Sequence, residues 1–355
     1  MKFLIYLTLA CFAARSITAR AEDSALEEVL APLAPGVKRW ASVCMVEGKE
    51  GALSFRWHHT PRAGSAQDFW PASAIKLPAV VAAVERVNAL GFGLDTVVSY
   101  EHQEAGGRWV HDTARGLREM TSEVFRRSSN EDFTLLLRLT GLDWVNARFL
   151  VPEKGFPHTA IMRGYVPGAT RPWGYMRTEP QRTTLLEVDG EKKHVFTHTW
   201  SGRFYAEERG ATIIDAKTGN VSTTAELVEC LRRLLFHDRL PEAERYAITS
   251  DQAAFLVHGG GGFCGLETRN GDSGPTAWTK AAELVFPKAR FYHKCGLISN
   301  YAMDLAYVDD SADSGKRFLL MPVIAAGSET KPAGGEALVS EMARLICEAV
   351  KAGRL

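Results

Sequence analysis

The chain has no surplus of either charge: 42 Lys and Arg stand against 42 Asp and Glu. A balanced chain offers no electrostatic case for nucleic acid or an anionic membrane surface, and neither is expected as a partner. Cysteine is sparse, 6 residues among 355, which argues against a disulfide-framed scaffold. Cys-x-x-Cys and His-Glu-x-x-His are both missing, so neither a metal nor another cofactor is expected. Past the N-terminus no apolar run is long enough to span a bilayer. Internal repeats and low-complexity segments do not occur. What is present is 46% hydrophobic content, enough for a substantial core in one or two domains; a monomer is expected.

The N-terminus reads as an export signal over residues 1–21: Lys2, an apolar run from Phe3 to Ala14, then Ala19-Arg20-Ala21 as a small-x-small cleavage site. The mature chain would start at Glu22 and act in the periplasm or outside the cell. A lipoprotein acylated on Cys11 is the alternative, poorly served by Thr8 three residues earlier. Removing the signal leaves Cys44, Cys230, Cys264, Cys295 and Cys347. An odd count implies at least one free thiol or an intermolecular bridge. Cys264 with Cys295 is a candidate pair that sequence does not establish.

The stretch from Phe69 to Leu90 organises the rest. Leu77, Val80, Val81, Val84 and Val87 repeat at threes and fours, one buried stripe of an amphipathic helix, and Asn88, Gly91 and Gly93 stop it. Ser73 and Lys76 stand at its front, three apart and on one face. A hydroxyl at a helix start with an amine one turn behind suits nucleophilic catalysis. Around it the pattern predicts a helix at Ser24–Leu33, strands at Lys38–Val46 and Leu53–Trp57, a short strand at Asp95–Ser99 and a helix at Leu117–Phe125. A helix capped by Asn130 follows. From Leu150 to Thr223 the pattern weakens into a long, partly irregular excursion over the surface. Helices at Ala225–Leu235 and Pro241–Leu256 come next. The chain ends with strands at Arg290–Lys294, Ala302–Val308 and Arg317–Ala325 and a last amphipathic helix. The expected fold is α+β. An antiparallel sheet flanked by terminal helices (22–62 with 283–355) packs beside a mainly helical lobe (63–282), and the cleft between them holds Ser73.

Two further motifs stand in order behind Ser73-Ala74-Ile75-Lys76: Ser128-Ser129-Asn130 before a helix, and Lys294-Cys295-Gly296 at the end of a strand. With these the sequence resembles the penicillin-recognising serine hydrolases, and most closely the class A β-lactamases, whose trio is Ser-x-x-Lys, Ser-Asp-Asn and Lys-Thr-Gly. The likeness covers most of the mature chain apart from the excursion. It implies that Ser73 is the acylated nucleophile, that Lys76 accepts its proton, and that Ser128 relays a proton to the leaving nitrogen. Lys294 would hold Ser128 and add positive potential for a substrate carboxylate. Asn130 would bind the substrate's side-chain amide. Gly296 would let the edge strand come close, and the N–H groups of Ser73 and Leu297 would form the oxyanion hole.

Three departures from the family pattern matter. Cys295 replaces a hydroxyl residue that helps bind the substrate carboxylate, and a thiol is a weaker donor. The glutamate that activates the deacylating water should fall near Arg163-Gly164-Tyr165, where there is none; a match in kind, Arg177-Thr178-Glu179-Pro180, comes about fourteen residues later. The excursion is also longer than the family's loop. Rival strings are weighed against the trio. Lys217-Thr218-Gly219 copies the third motif but has hairpin-turn composition, and Ser328 to Lys331 copies the first in a loop. His258-Gly259-Gly260-Gly261 resembles a lipase oxyanion loop but has no Gly-x-Ser-x-Gly to serve. Gly271 to Pro275 resembles a chymotrypsin-type nucleophile loop with one glycine missing. His194 and His198 fall in a strand-like segment, which disfavours a metal pair. In isolation Asn130 could be only a helix cap and Lys76 only a solvated side chain; the ordered trio argues otherwise. The expected activity is hydrolysis of β-lactam amides through a Ser73 acyl-enzyme. A peptidoglycan DD-peptidase or amidase with the same acylation chemistry is the alternative, and a catalytically silent binding protein on this fold is the third.

Overall fold

Apolar runs from both ends of the chain meet in one sheet. The computed structural model describes residues 24–33, 37–48, 52–61, 69–166, 179–187, 192–211, 219–267, 277–298, 301–325 and 332–355, with Gly190 and Lys217. The export segment, the Ser328–Lys331 copy and the Gly271–Pro275 string lie outside them. The strands are β1 (Lys38–Glu47), β2 (Ser54–His59), β3 (Val97–Gln103), β4 (Trp109–Gly116), β5 (Gln181–Leu186), β6 (Lys193–His198), β7 (Arg290–Ile298), β8 (Tyr301–Asp310) and β9 (Lys316–Ala325). Among the helices, α1 is Ser24–Leu30, α2 is Lys76–Ala89, α3 is Leu117–Arg127 and α4 is Asn130–Thr140.

The first sheet has the order β2-β1-β9-β8-β7, antiparallel throughout. Its central strands are apolar on both sides because both faces are covered. Ala41, Val43 and Met45 of β1 join Phe318, Leu320 and Ile324 of β9 in packing on α1 and the terminal helix Pro332–Lys351. The alternate residues Trp40, Cys44, Val46, Leu319, Met321 and Val323 face the opposite way, into the core that contains α2 and α4. Period-two alternation thus divides one continuous apolar run between two cores.

Two sequence expectations change. The stripe expected on α2 is too narrow: every residue from Lys76 to Glu85, and Val87, is buried. Ala79, Ala82 and Ala83 allow neighbours to close around the helix on all sides. The described parts of the stretch from Leu150 to Thr223 are also more ordered than their composition suggests. β5 and β6 extend a second antiparallel sheet of order β4-β3-β5-β6. Before it, Phe156, Ala160, Ile161 and Met162 are buried rather than spread over the surface. Buried polar side chains satisfy this segment's backbone. Asn146 Oδ1 accepts from the Ile161 N–H, Asn220 Oδ1 from those of Met162 and Arg163, and Glu226 from those of His158 and Thr159. An irregular chain can be buried when its donors are answered in this way.

Candidate active site

Ser73 lies in a single 3-10 turn, Ala72–Ile75, that feeds directly into α2. The turn is tight: Ala74 N–H donates to Pro71 O at 2.9 Å, and Ala72 takes φ 42°, a left-handed conformation that costs a non-glycine residue about 1–3 kcal/mol. It is pressed from the far side by β7. A Cβ built on Gly296 would stand 2.9 Å from Pro71 O and 3.1 Å from Ala74 N, so only glycine lets the strand approach this closely. Ser73 itself is half-buried, and among the described residues its hydroxyl makes no hydrogen bond.

The second motif turns between two helices. α3 ends at Ser128, which sits at φ 56°, ψ 39°, and Ser129 caps α4 by accepting from Asp132 N–H at 3.1 Å. The cap is therefore Ser129, not Asn130 as the sequence suggested. Asn130 is the first helical residue, and its side chain is free to turn inward. The amines of Lys76 and Lys294 converge on Ser128 Oγ, donating at 3.1 and 2.9 Å. Lys76 also donates to Ser128 O at 2.5 Å and to Asn130 Oδ1 at 2.6 Å, and Lys294 to Cys295 O at 3.1 Å. With both lone pairs of Ser128 Oγ taken by amines, its own hydrogen remains to be donated. Lys76 is fully buried; burial first and the Lys294 charge second lower its pKa to about 6, the nearby Cys295 opposing them. Three acceptors fit the ammonium form. The low pKa makes its third proton easy to lose.

A cavity of about 300 Å³ opens over this group, lined by Ser73 and Asn130 with Trp70, Ala72 and Val166. Arg163, Gly164 and Tyr165 form one wall and Leu297 and Ile298 the other. The wall is pinned to α4: Tyr165 N–H donates to Thr134 Oγ1 at 3.1 Å. A Cβ on Gly164 would meet that same oxygen at 2.4 Å, which explains the glycine. No carboxylate is among the ten lining residues. The sequence from Gly155 to Thr178 contains no Asp or Glu at all.

β7, the last strand of its sheet, presents its outer edge to the cavity. His293 N–H donates to Leu266 O, outside the sheet, and alternation turns the N–H groups of Cys295 and Leu297 to that same edge. Burial pushes the Cys295 thiol above its usual pKa, against the opposing charge of Lys294, so the group is a neutral thiol. Cys264 and Cys295 are both free thiols, and the candidate disulfide is not formed.

Ser73, Asn130 and Leu297 thus share the cavity, and Lys76, Ser128 and Lys294 form one hydrogen-bonded group behind it. Other candidates lie elsewhere. Glu179 precedes β5 on the second sheet and is not part of the cavity wall. Lys217 Nζ stands over the Phe204 ring at 5.4 Å. His258 Nδ1 pairs with Glu267 at 2.9 Å. His194 and His198 lie on one face of β6 with the Phe196 ring between them, and no cluster of metal-ligating side chains occurs among the described residues.

Sequence reasoning missed Trp70 and Tyr165. The Tyr165 hydroxyl donates to Ala72 O at 3.1 Å and accepts from Trp70 Nε1 at 3.0 Å, and its ring lies 5.7 Å from Lys76 Nζ. Counting from Asn130 leads to this wall. The missing glutamate was visible there, but nothing in the pattern marked the aromatic that stands in the gap.

The family model of the β-lactamase enzyme family matches residues 62–350. Among solved structures, the β-lactamase from Sphaerobacter thermophilus DSM 20745 is similar with TM-score 0.54 and 14% identity, over 92% of this chain and 95% of that one. A serine-to-glycine variant of the TLA-1 extended-spectrum β-lactamase gives 0.56 and 12%, over 93% and 98%. PBP-A gives 0.52 and 14%, over 93% and 96%. At these identities the likeness is one of fold. Among curated proteins, none matches in sequence.

Proposed function

The chain belongs to the β-lactamase enzyme family, and from that premise we propose that it is an exported serine hydrolase acylated on Ser73 by penicillin-like cyclic amides or peptidoglycan-like peptides, with slow release of the acyl group. One observation carries the reading: the amines of Lys76 and Lys294 meet on Ser128 Oγ, behind a cavity that contains Ser73. In this mechanism neutral Lys76 takes the proton as Ser73 Oγ attacks the carbonyl carbon, and negative charge gathers on the carbonyl oxygen between the N–H groups of Ser73 and Leu297. Ser128 then hands its proton to the departing nitrogen and is resupplied from the lysines. Asn130 holds the substrate's side-chain amide. Lys294 supplies positive potential for a substrate carboxylate, for which the Cys295 thiol is a weak second donor.

The absence of Asp and Glu from the sequence between Gly155 and Thr178, and of a carboxylate from the described cavity lining, favours a DD-peptidase-like enzyme over an efficient β-lactamase. With no carboxylate among the described lining residues to activate water, the acyl-enzyme persists. PBP-A, on a similar fold, has a mutant solved as an acyl-enzyme complex with penicillin G, which is in keeping with such an adduct. The segment from Lys2 to Ala21 supports export, and no described helix is long and apolar enough to cross a membrane.

Labelled penicillin followed by mass spectrometry tests the reading, with a chromogenic cephalosporin as the turnover assay. The expected result is one adduct on Ser73 that outlasts the assay, little cephalosporin hydrolysis, and no adduct on Ser73→Ala. Rapid turnover would instead support the β-lactamase reading. Absence of any adduct on the wild-type chain would leave only a binding protein on this fold.

A further inference from the structure

The Tyr165 phenol touches neither the Ser73 side chain nor either motif lysine by hydrogen bond, yet it reaches the peptide that joins Ala72 to Ser73. We propose that Tyr165 is a positioning residue for the oxyanion hole: by holding the Ala72 carbonyl, with Trp70 holding the phenol, it aims the Ser73 N–H into the cavity. This rests on the acylation chemistry proposed above and assigns a role that the three motifs do not contain.

The argument is one of covalent geometry. The Ala72 C=O and the Ser73 N–H belong to a single planar trans peptide and point in opposite directions. Fixing the carbonyl direction therefore fixes the N–H direction. Tyr165 OH donates to Ala72 O at 3.1 Å, and that carbonyl belongs to the residue at φ 42°. A strained peptide next to the nucleophile persists only where its surroundings hold it. Gly296 of β7 presses on the same turn from the strand side, at Pro71 O and Ala74 N. The turn is therefore held between a strand and a phenol.

The phenol is itself constrained. Trp70 Nε1–H donates to its oxygen at 3.0 Å, so the hydroxyl hydrogen is left for Ala72 O. The ring packs on Phe133 at 5.0 Å, and the Tyr165 N–H is held by Thr134 Oγ1 at 3.1 Å. Burial raises the phenol's pKa to about 12, against the smaller pull of Asn220, Trp70 and Arg163, so it stays a neutral donor across the working range. A hydrogen bond accepted by the carbonyl also polarises the attached amide and strengthens its N–H as a donor.

Tyr165→Phe keeps the ring against Phe133 and Lys76 and removes only the hydroxyl. The acylation rate constant with a fluorescent penicillin, the dissociation constant of the complex that precedes acylation, and the inhibition constant of phenylboronic acid separate the possibilities. The boronate forms a tetrahedral adduct whose oxygen would use the same N–H. Acylation should slow by about ten-fold or more, a fraction of what losing an oxyanion donor outright costs. Boronate affinity should fall in parallel, while the preceding complex changes by less than about two-fold. Trp70→Phe, which leaves Tyr165 in place, should shift the same two quantities in the same direction and less. Wild-type acylation by Tyr165→Phe overturns the proposal, as does slower acylation with boronate affinity unchanged. If Tyr165→Phe does not fold, Trp70→Phe decides by the same criteria. Failure of the wild-type chain to take any label would defeat the acylation chemistry and this inference with it; normal label on both variants would defeat the inference alone.

Discussion

A solvated lysine at neutral pH carries its proton, with a pKa near 10.4, and such a group could not take one from Ser73. Lys76 escapes that limit because it is fully buried beside a second cation, which brings its pKa to about 6. The sign of the pH dependence follows. The neutral, proton-accepting form is lost as the pH falls through 6, so acylation should decline about ten-fold per pH unit below that point and level off above it. Lys294→Met removes the second lowering influence and should move this limb to higher pH, whatever it does to the maximum rate. A penicillin acylation profile from pH 4.5 to 8 reads both, and a limb that stays put in Lys294→Met would show that the two amines are not coupled. Linkage runs the same way for stability: the unfolded chain holds this proton up to about 10.5, so the contribution of Lys76 rises with pH between about 6 and 10.5. That Ser73, Lys76, Ser128, Asn130 and Lys294 would come together was legible in the sequence because each belongs to one of three short motifs in order. Tyr165 was not, since a single aromatic in an aperiodic stretch carries no spacing to read. The cap was misassigned for a related reason: Ser129 and Asn130 are both good caps, and only the inward Lys76 contact separates them.

Between elements, the decisive contact is β7 against the nucleophile turn. On the side of the turn backbone meets backbone, at Pro71 O and Ala74 N, and only Met303 on the other side is a side chain that could yield. Gly296→Ala would place a methyl group 2.9 Å from Pro71 O and 3.0 Å from Met303 Cγ. The strand or the turn must move, and the expected cost is about 1–3 kcal/mol of stability, as for other overpacked sites. Acylation should fall by more than that loss of folded protein explains, because the displaced parts carry Ser73 and Leu297. Denaturation together with adduct formation per folded molecule checks this; a destabilised variant that acylates normally would mean that the close approach serves packing alone. β7, β8, β9 and α2 were readable as elements because long apolar runs mark them. β5 escaped, and β6 showed only as a strand-like segment around His194 and His198, because their sides are mixed. The inward residues of β5 are Gln181, Thr183 and Leu185, and β6 alternates between exposed and half-buried positions. An apolar period has little to register there.

At the scale of the whole molecule, the second sheet must be held to the helices that carry the site, and Arg138 does much of this. It lies near the C-terminal end of α4, almost fully buried, with Tyr100 of β3 5.2 Å from its guanidinium. It donates to Asp112 of β4 at 2.6 Å and to Gln181 of β5 at 3.0 Å. Nearby His198 of β6 is pushed to a pKa of about 4 by burial and then by the Arg138 and Arg86 charges, so the cluster works with a neutral imidazole. One cation thus ties three strands to the helix whose first residue is Asn130. Removing one partner of a buried ion pair costs about 3–5 kcal/mol; with Asp112 partly exposed, Arg138→Ala should cost about 2–3 kcal/mol in chemical denaturation. Its effect on chemistry should be small. Eight residues of helix, roughly 12 Å, separate it from Asn130, and the near end of α4 is fixed independently by Ser129 and by the two amines on Ser128. Labelling of Ser73 per folded molecule should therefore stay within about two-fold of wild type. A loss of labelling far beyond the loss of stability would instead make the second sheet part of the catalytic frame, coupled to Asn130 along α4.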